Sequence, residues 1–419
     1  MKSIWTAAVI ALTFSAGSVS AQEILFWSSQ AKPVEEGQAM RANVLAHFGK
    51  PVSYMGLDEG PFVTRINAEA KAGKGTIGLI GGLHGEFASF PDLLADVDGI
   101  PGTDTISKTY IDLGKLGSAG QKYVPWMQAT YIMAANKEAL KYLPEGVDIN
   151  AITYDQLTAW GKAIHKATGS PKIGLPAGPK GLMHRFFQGY LYPSYTRSVV
   201  TEFRAEKAAA MWEAFKALWA ETNPASTGYG FMQEPLLTGD VWIAWDHVAR
   251  LKDAFDQKPG QFVAFPVPAG PAGRGNMAVV AGMGIPKTSP AAEEAKSLIA
   301  YMLKPETQIA ALKATGFFPV VNVMLPADIA PSAKAFSGVV DAQSKAPDGV
   351  VALLPTGLGA AGGKFSKVYS DTFQRIVLSG QDVRSVLDGQ AKILDGIMKD
   401  AGAPCWAPDT ASTGPCPVK

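Results

Sequence analysis

Apolar and polar positions along the chain follow two periods, and they change places regularly. "ILFW", Ile24 to Trp27, is a short apolar run ending in Ser28, Ser29 and Gln30, the pattern of a buried strand with a polar tip. Residues 33–48 then carry Val34, Met40, Val44, His47 and Phe48 at mainly helical spacing. "PVSYM" reads as a second strand. "GPFVTRINAEAKAG" opens on Gly-Pro and closes on Gly73, as a short helix does. "TIGLIGG" is a third strand, ended by Gly81 and Gly82. Strand and helix alternating in this way predict a βαβαβ unit and a mostly parallel sheet. The carboxyl ends of such strands open onto a ligand crevice. Trp27–Gln30 and the residues after Gly82 are therefore expected at the rim of a cleft.

The middle of the chain is richer in helical periodicity. "TYDQLTAWGKAIHKATG" is expected to be capped by Thr153 and closed by Gly169. "AEKAAAMWEAFKALWAE" puts Met211, Trp212, Phe215, Leu218 and Trp219 on one face, which reads as core. "GDVWIAWDHVARLKDAF" runs from strand into helix, and "GQFVAFPVPAGPAGRG" is a strand followed by a Pro/Gly-rich connection. Ser289 and Pro290 are read as N-cap and first residue of the helix "AAEEAKSLIAYMLK". The last helix holds Val383, Val386, Leu387, Leu394, Ile397 and Met398 at helical spacing.

Composition narrows the picture. A chain of 419 residues exceeds one ordinary core and implies about two domains. With 47% hydrophobic and 18% charged residues it is globular. A formal charge of +1 gives no reason to expect nucleic acid or an anionic membrane as partner. The first residues have an export layout: Lys2, the apolar "IWTAAVIALTFSAG", and small residues Val19 to Ala21 before a cut. That run is shorter than the roughly 20 apolar residues of a spanning helix, so residues 1–21 are expected to be removed and the mature chain to start near Gln22. The cysteines, Cys405 and Cys416, both lie in the tail "PCWAPDTASTGPCPVK" and are expected to pair in an oxidising compartment. The expected location is the periplasm or cell exterior.

Catalytic signatures are missing: no H-E-x-x-H, no P-loop, no G-x-S-x-G. His47, His84, His165, His184 and His247 are scattered without zinc spacing. "GLGAAG", Gly357 to Gly362, has dinucleotide letters but follows Pro355 in an exported chain, and it reads as a flexible loop leading into a helix. No catalytic residue, metal or cofactor is assigned. The positive signal is aromatic. Trp27, Trp126, Trp242, Trp245 and Trp406 stand beside small polar residues or Pro, or before charges. Sugars lie with flat C–H faces on such rings and need donors and acceptors around them. "FWSSQ", "GGLHGE", "VPWMQATY", "LMHRFF" and "IAWDHVAR" each supply that mixture near an expected strand end or helix start.

These segments, in this order, resemble the maltose-binding-like family 1 of periplasmic solute-binding proteins of sugar ABC importers. "EILFWSSQ" is similar to the family's first strand, "GTIGLIGGLHGEFASFPDLLADVD" to its third strand and cleft loop, and "QKYVPWMQATYIMAANKEAL" to its first crossing strand. "ITYDQLTAWGKAI" and "TGDVWIAWDHVAR" resemble a following helix and a strand-to-helix step. Leu83-His84-Gly85 stands where the family often has an acidic residue, and Ala135 where Tyr is usual. The resemblance implies an α/β, two-lobed fold with a hinge, a monomer, a sugar or polyol ligand, and membrane permease and ATPase subunits as partners. Lobe one would be residues 22–130 plus 267–317, and lobe two 131–266 plus 318–419. Carried over by position, Trp27, Ser28, Gln30 and His84 would line lobe one's wall, with Trp126 and Gln128 just before the crossing. His184, Arg185, Trp245 and Asp246 would come from lobe two, and Gly282 and Met283 from a returning strand. Trp245 would be a stacking platform and Asp246 an acceptor for vicinal hydroxyls. The rival readings are an exported carbohydrate-active enzyme and a same-fold binder of a polyamine or other non-sugar solute; few acids fall in the expected cleft, which disfavours both.

Overall fold

A computed structural model describes residues 23–30, 34–57 and 59–419. The expected export leader, residues 1–21, lies outside the described residues. The strands are β1 (Ile24–Ser28), β2 (Val52–Gly56), β3 (Leu79–Leu83), β4 (Val124–Ala129), β5 (Tyr131–Asn136) and β6 (Ile173–Gly174). They continue as β7 (Ile243–His247), β8 (Phe262–Phe265), β9 (Arg274–Gly284), β10 (Phe318–Pro319) and β11 (Gly349–Leu353). Two sheets result, and each centres one lobe. The first runs β10-β4-β9-β3-β1-β2 with β11 added on β9; the second runs β6-β7-β5-β8.

The opening βαβαβ unit is as its alternation implies: β1 pairs in parallel with both β2 and β3. Antiparallel pairs enter where the chain passes between lobes. β9 is antiparallel to β3 and β4, and β5 is antiparallel to β7 and β8, so both sheets are mixed. A returning strand inserted beside an existing one meets it from the opposite direction, which no local periodicity records.

Passage between the lobes is tightly bonded. Thr130 separates β4 from β5, and its hydroxyl donates to the Met277 carbonyl at 3.0 Å. Gln343, on the helix Pro331–Ser344, donates from Nε2 to the Tyr131 carbonyl and to Asn276 Oδ1, both at 3.0 Å. Its Oε1 accepts from the Val267 amide at 2.9 Å. Thr130, Asn276 and Gln343 are all buried, so this amide–hydroxyl cluster satisfies its own polar groups where lobe-spanning segments meet.

Helix ends follow local chemistry. The helix Tyr154–Thr168 starts on a capping box: Thr153 Oγ1 accepts from the Gln156 amide at 3.2 Å, and Gln156 Oε1 accepts from the Thr153 amide at 2.9 Å. It stops at Gly169, whose φ of 76° lies in the left-handed region that favours glycine. Met211, Trp212, Phe215 and Leu218 are buried on the helix Glu206–Trp219. One expected boundary moves. The helix Ala292–Met302 begins beyond Ser289, whose Oγ donates to the Gly78 carbonyl at 2.9 Å and so ties a loop to the first sheet instead.

The tail is fastened back onto residues 198–201. Cys405 and Cys416 form a disulfide. Between them, buried Asp409 accepts hydrogen bonds from the amides of Val199, Val200 and Thr201 at 2.7–2.9 Å, and from the hydroxyls of Ser198 and Thr201. No described helix is long and apolar enough to cross a membrane.

Candidate functional site

A cavity of about 350 Å³ opens where three stretches of chain meet. Leu83, Gly85, Glu86 and Ser89 wall one side, at the carboxyl end of β3 and the helix His84–Phe87. His184 and Arg185, on the helix Met183–Phe186, face them. The third wall is the loop leaving β11 and the start of the helix Gly362–Phe373, including Pro355, Gly359, Gly363 and Ser366. Three separate stretches of chain therefore meet at one polar gap, at the strand end where an α/β sheet places its ligand.

Glu86 is the anchored acid of this gap. Its Oε2 accepts from the Ser29 hydroxyl and from the Leu83 amide, each at 2.6 Å. Ser29 in turn bonds through its amide to the Gly81 carbonyl at 2.9 Å, so the tip of β1 and the turn after β3 form one unit. Gly82 leaves the room this needs: a Cβ there would stand 2.9 Å from Glu86 Oε2. On the facing lobe, Arg185 donates to Gln188 Oε1 at 3.2 Å. Burial, with Arg185 and Arg250 nearby, pulls the His184 imidazole down to about 3, so it stays neutral and can donate or accept. A π-helical turn, Phe187–Leu191, follows directly; such turns widen a helix and recur at functional sites. The gap thus carries a carboxylate, a guanidinium, a neutral imidazole and serine hydroxyls, groups that bind hydroxyls and polar head groups.

The expected site residues separate into three groups. His184 and Arg185 line the cavity. Trp27, Ser28, Gln30 and His84 are close in sequence to its first wall but do not line it. Ser28 is buried and its Oγ accepts from the Gln30 amide at 3.1 Å. Gln30 donates to Ser29 Oγ at 3.3 Å. His84 is buried against Tyr123, its Nδ1 lying 2.8 Å from the phenol oxygen, and burial lowers its pKa to about 4. Trp27 is half-buried, with the Arg65 guanidinium 5.7 Å from its ring and the Phe62 cluster beneath.

The rest are placed elsewhere, and each is a correction. Trp245 has no exposed surface: its ring stacks on Tyr131 at 4.8 Å and meets the edges of Phe186 and Tyr190 at 5.0 and 5.5 Å. An apolar sandwich has already taken the face that a sugar would need. Asp246 is equally buried; its oxygens accept from the amides of Met232 and His247 at 3.0 and 2.7 Å, and burial lifts its pKa to about 7. Trp126 and Met283 are core. Gly282 packs so closely that a Cβ would stand 2.1 Å from the Tyr123 ring. Gln128 turns to the other side of the crossing, where it donates to the Pro319 carbonyl at 3.0 Å and lines a second cavity of about 660 Å³. What the sequence reading missed is the glycine-rich wall, Gly359 to Gly363. Its run of glycines reads as a flexible loop leading into a helix, and it does lead into one, but without a place at the cavity.

The whole chain can now be placed. A family model described as "Bacterial extracellular solute-binding protein" matches residues 31–309. The chain belongs to this family. No curated protein matches it in sequence. Among solved structures, the MalE sugar-binding protein of Xanthomonas citri aligns with a TM-score of 0.71 at 14% identity, covering 90% of this chain and 97% of that one. The GacH receptor of Streptomyces glaucescens aligns at 0.67 and 18%, covering 90% and 98%. UgpB of Mycobacterium tuberculosis, in complex with glycerophosphocholine, aligns at 0.68 and 18%, covering 90% and 99%. At these identities the likeness is one of fold: this solute-binding protein has the two-lobed architecture.

Proposed function

We propose that this solute-binding protein captures a small sugar or sugar-like polyol between its lobes and delivers it to the permease and ATPase of an ABC importer. The observation that carries the reading is the inter-lobe gap itself. Glu86 from one lobe and His184 and Arg185 from the other face a shared space of about 350 Å³, near the lower end of the roughly 300–1,000 Å³ of ligand pockets. Closing the lobes brings these donors and acceptors onto a ligand, and a binder of this kind returns it unaltered. The export leader expected in residues 1–21 and the tail disulfide fit the periplasm.

Among the described residues the lining holds no Trp, Tyr or Phe, and its polar groups favour a short polar solute over a long stacked glycan. It also supports a second reading, a polyol bearing an anionic head group next to Arg185. The related fold of UgpB, solved with glycerophosphocholine, is in keeping with it. A thermal-shift panel of monosaccharides, disaccharides, polyols, glycerophosphodiesters and polyamines tests both. A solute bound only to the native state raises the melting temperature by mass action. A rise with sugars or polyols supports the first reading and a rise with glycerophosphodiesters alone the second. A rise with polyamines alone refutes both.

A further inference from the structure

The glycine-rich wall of the cavity does not stand alone. Its far side rests on the disulfide-closed tail. Trp406 meets the Phe365 ring edge-on at 5.3 Å, and Phe365 belongs to the same helix as the cavity-lining Gly363 and Ser366. The Leu353 amide, last residue of β11, donates to the Ala407 carbonyl at 3.0 Å, one residue before the lining begins at Leu354. Gly357, at a φ of 71°, lies beside the tail, where a Cβ would make ordinary contact with Pro404 at 3.4 Å. Wall and tail therefore share a ring contact and a backbone hydrogen bond, made by tail residues that do not themselves line the cavity.

The tail can act as a fixed support because it is held at several points. Its disulfide closes the loop, the Cys416 amide donates to the Ala403 carbonyl at 2.8 Å, and Asp409 fastens it to residues 198–201. The wall is anchored by buried Leu354 and Leu358, but three glycines of Gly357–Gly362 leave the backbone between them many alternatives in isolation.

From this geometry we infer that Trp406 and Ala407 are positioning residues of the solute site: the tail loop sets the place of residues 354–363 and so the shape of the cavity. The inference rests on the cavity being the solute site. Trp406 has a second property that makes it testable. Its indole nitrogen is buried with no hydrogen-bond partner among the described residues, so the ring contributes by contact alone.

Amide hydrogen exchange, read segment by segment on the full chain, is the experiment, and it needs no solute. In Trp406→Ala, residues 354–363 are expected to exchange roughly tenfold faster, with β5 and β7 unchanged. In Trp406→Phe, which keeps an edge-on ring, exchange there should match the natural protein. Reduction with dithiothreitol is the second arm: loosening of residues 403–416 should be followed by loosening of 354–363. Unchanged exchange of 354–363 in Trp406→Ala overturns the inference, as does a uniform rise over all segments, or a reduced tail that opens while the wall stays protected. A solute panel with no response refutes the functional reading and leaves this coupling standing.

Discussion

Ser29 donates its hydroxyl hydrogen to the Glu86 carboxylate at 2.6 Å, and through that bond the tip of the first strand fixes the acid that faces the inter-lobe gap. The bond also explains why small polar residues follow the apolar strand "ILFW". They hold an acid in place from behind.

Glu86→Ala and Arg185→Ala are each expected to remove most of the melting-temperature rise given by whichever panel compound responds. A charge-assisted hydrogen bond contributes about 1.5–3 kcal/mol, so affinity should fall by at least roughly tenfold. Titration calorimetry with that compound checks this. Full affinity in both variants would move the site out of this gap.

Trp245→Ala should destabilise the unliganded protein by about 3–5 kcal/mol, because it empties an enclosed aromatic sandwich. Urea unfolding measures it. A change below about 1 kcal/mol together with lost solute response would return Trp245 to the ligand.

Acid should weaken the fold through its buried imidazoles. His84, His184 and His247 have pKa values lowered to about 4, 3 and 3 by burial, with Arg250 adding at the latter two and Arg185 at His184. The unfolded chain protonates each near the usual 6.5, so stability is lost as pH falls from about 6.5 toward 4. Asp246 opposes this. Its folded carboxyl, raised to about 7, keeps a proton that the unfolded chain gives up near 3.8, so its contribution is lost as pH rises through that window. Asp246→Asn removes the opposing contribution. The variant should lose stability more steeply than the natural protein between about pH 7 and pH 4, whatever its absolute stability. Urea midpoints across that range decide it, and an equal or shallower slope refutes it.

Gln343→Leu should cost about 1–3 kcal/mol. It leaves the Val267 amide without its acceptor and withdraws the donor shared by Tyr131 and Asn276. Chemical denaturation checks the loss; a neutral result would show that the crossing segments are held by packing alone.

The comparison of sequence with structure is uneven for physical reasons. Thr153 and Gly169 bound their helix as expected, because caps are decided by a few adjacent residues. The parallel opening unit followed from alternation in the same way. Trp245 did not. A Trp beside an Asp looks the same in sequence whether its ring faces a gap or stacks on Tyr131, and Tyr131 lies on another strand. Glu86 was visible as an acid near the cleft, but its hold on Ser29 is a bond across 57 positions. The glycine wall was legible only as a loop, since its partner surface is supplied by the tail more than 40 residues later.

Asp409 reaches back 208 to 211 positions to gather the donors of Ser198–Thr201. Their acceptor is thus a side chain remote in sequence from the loop it organises. A chain without the Asp409 carboxylate would leave three consecutive buried or half-buried N–H groups without the acceptor that answers them in the folded protein.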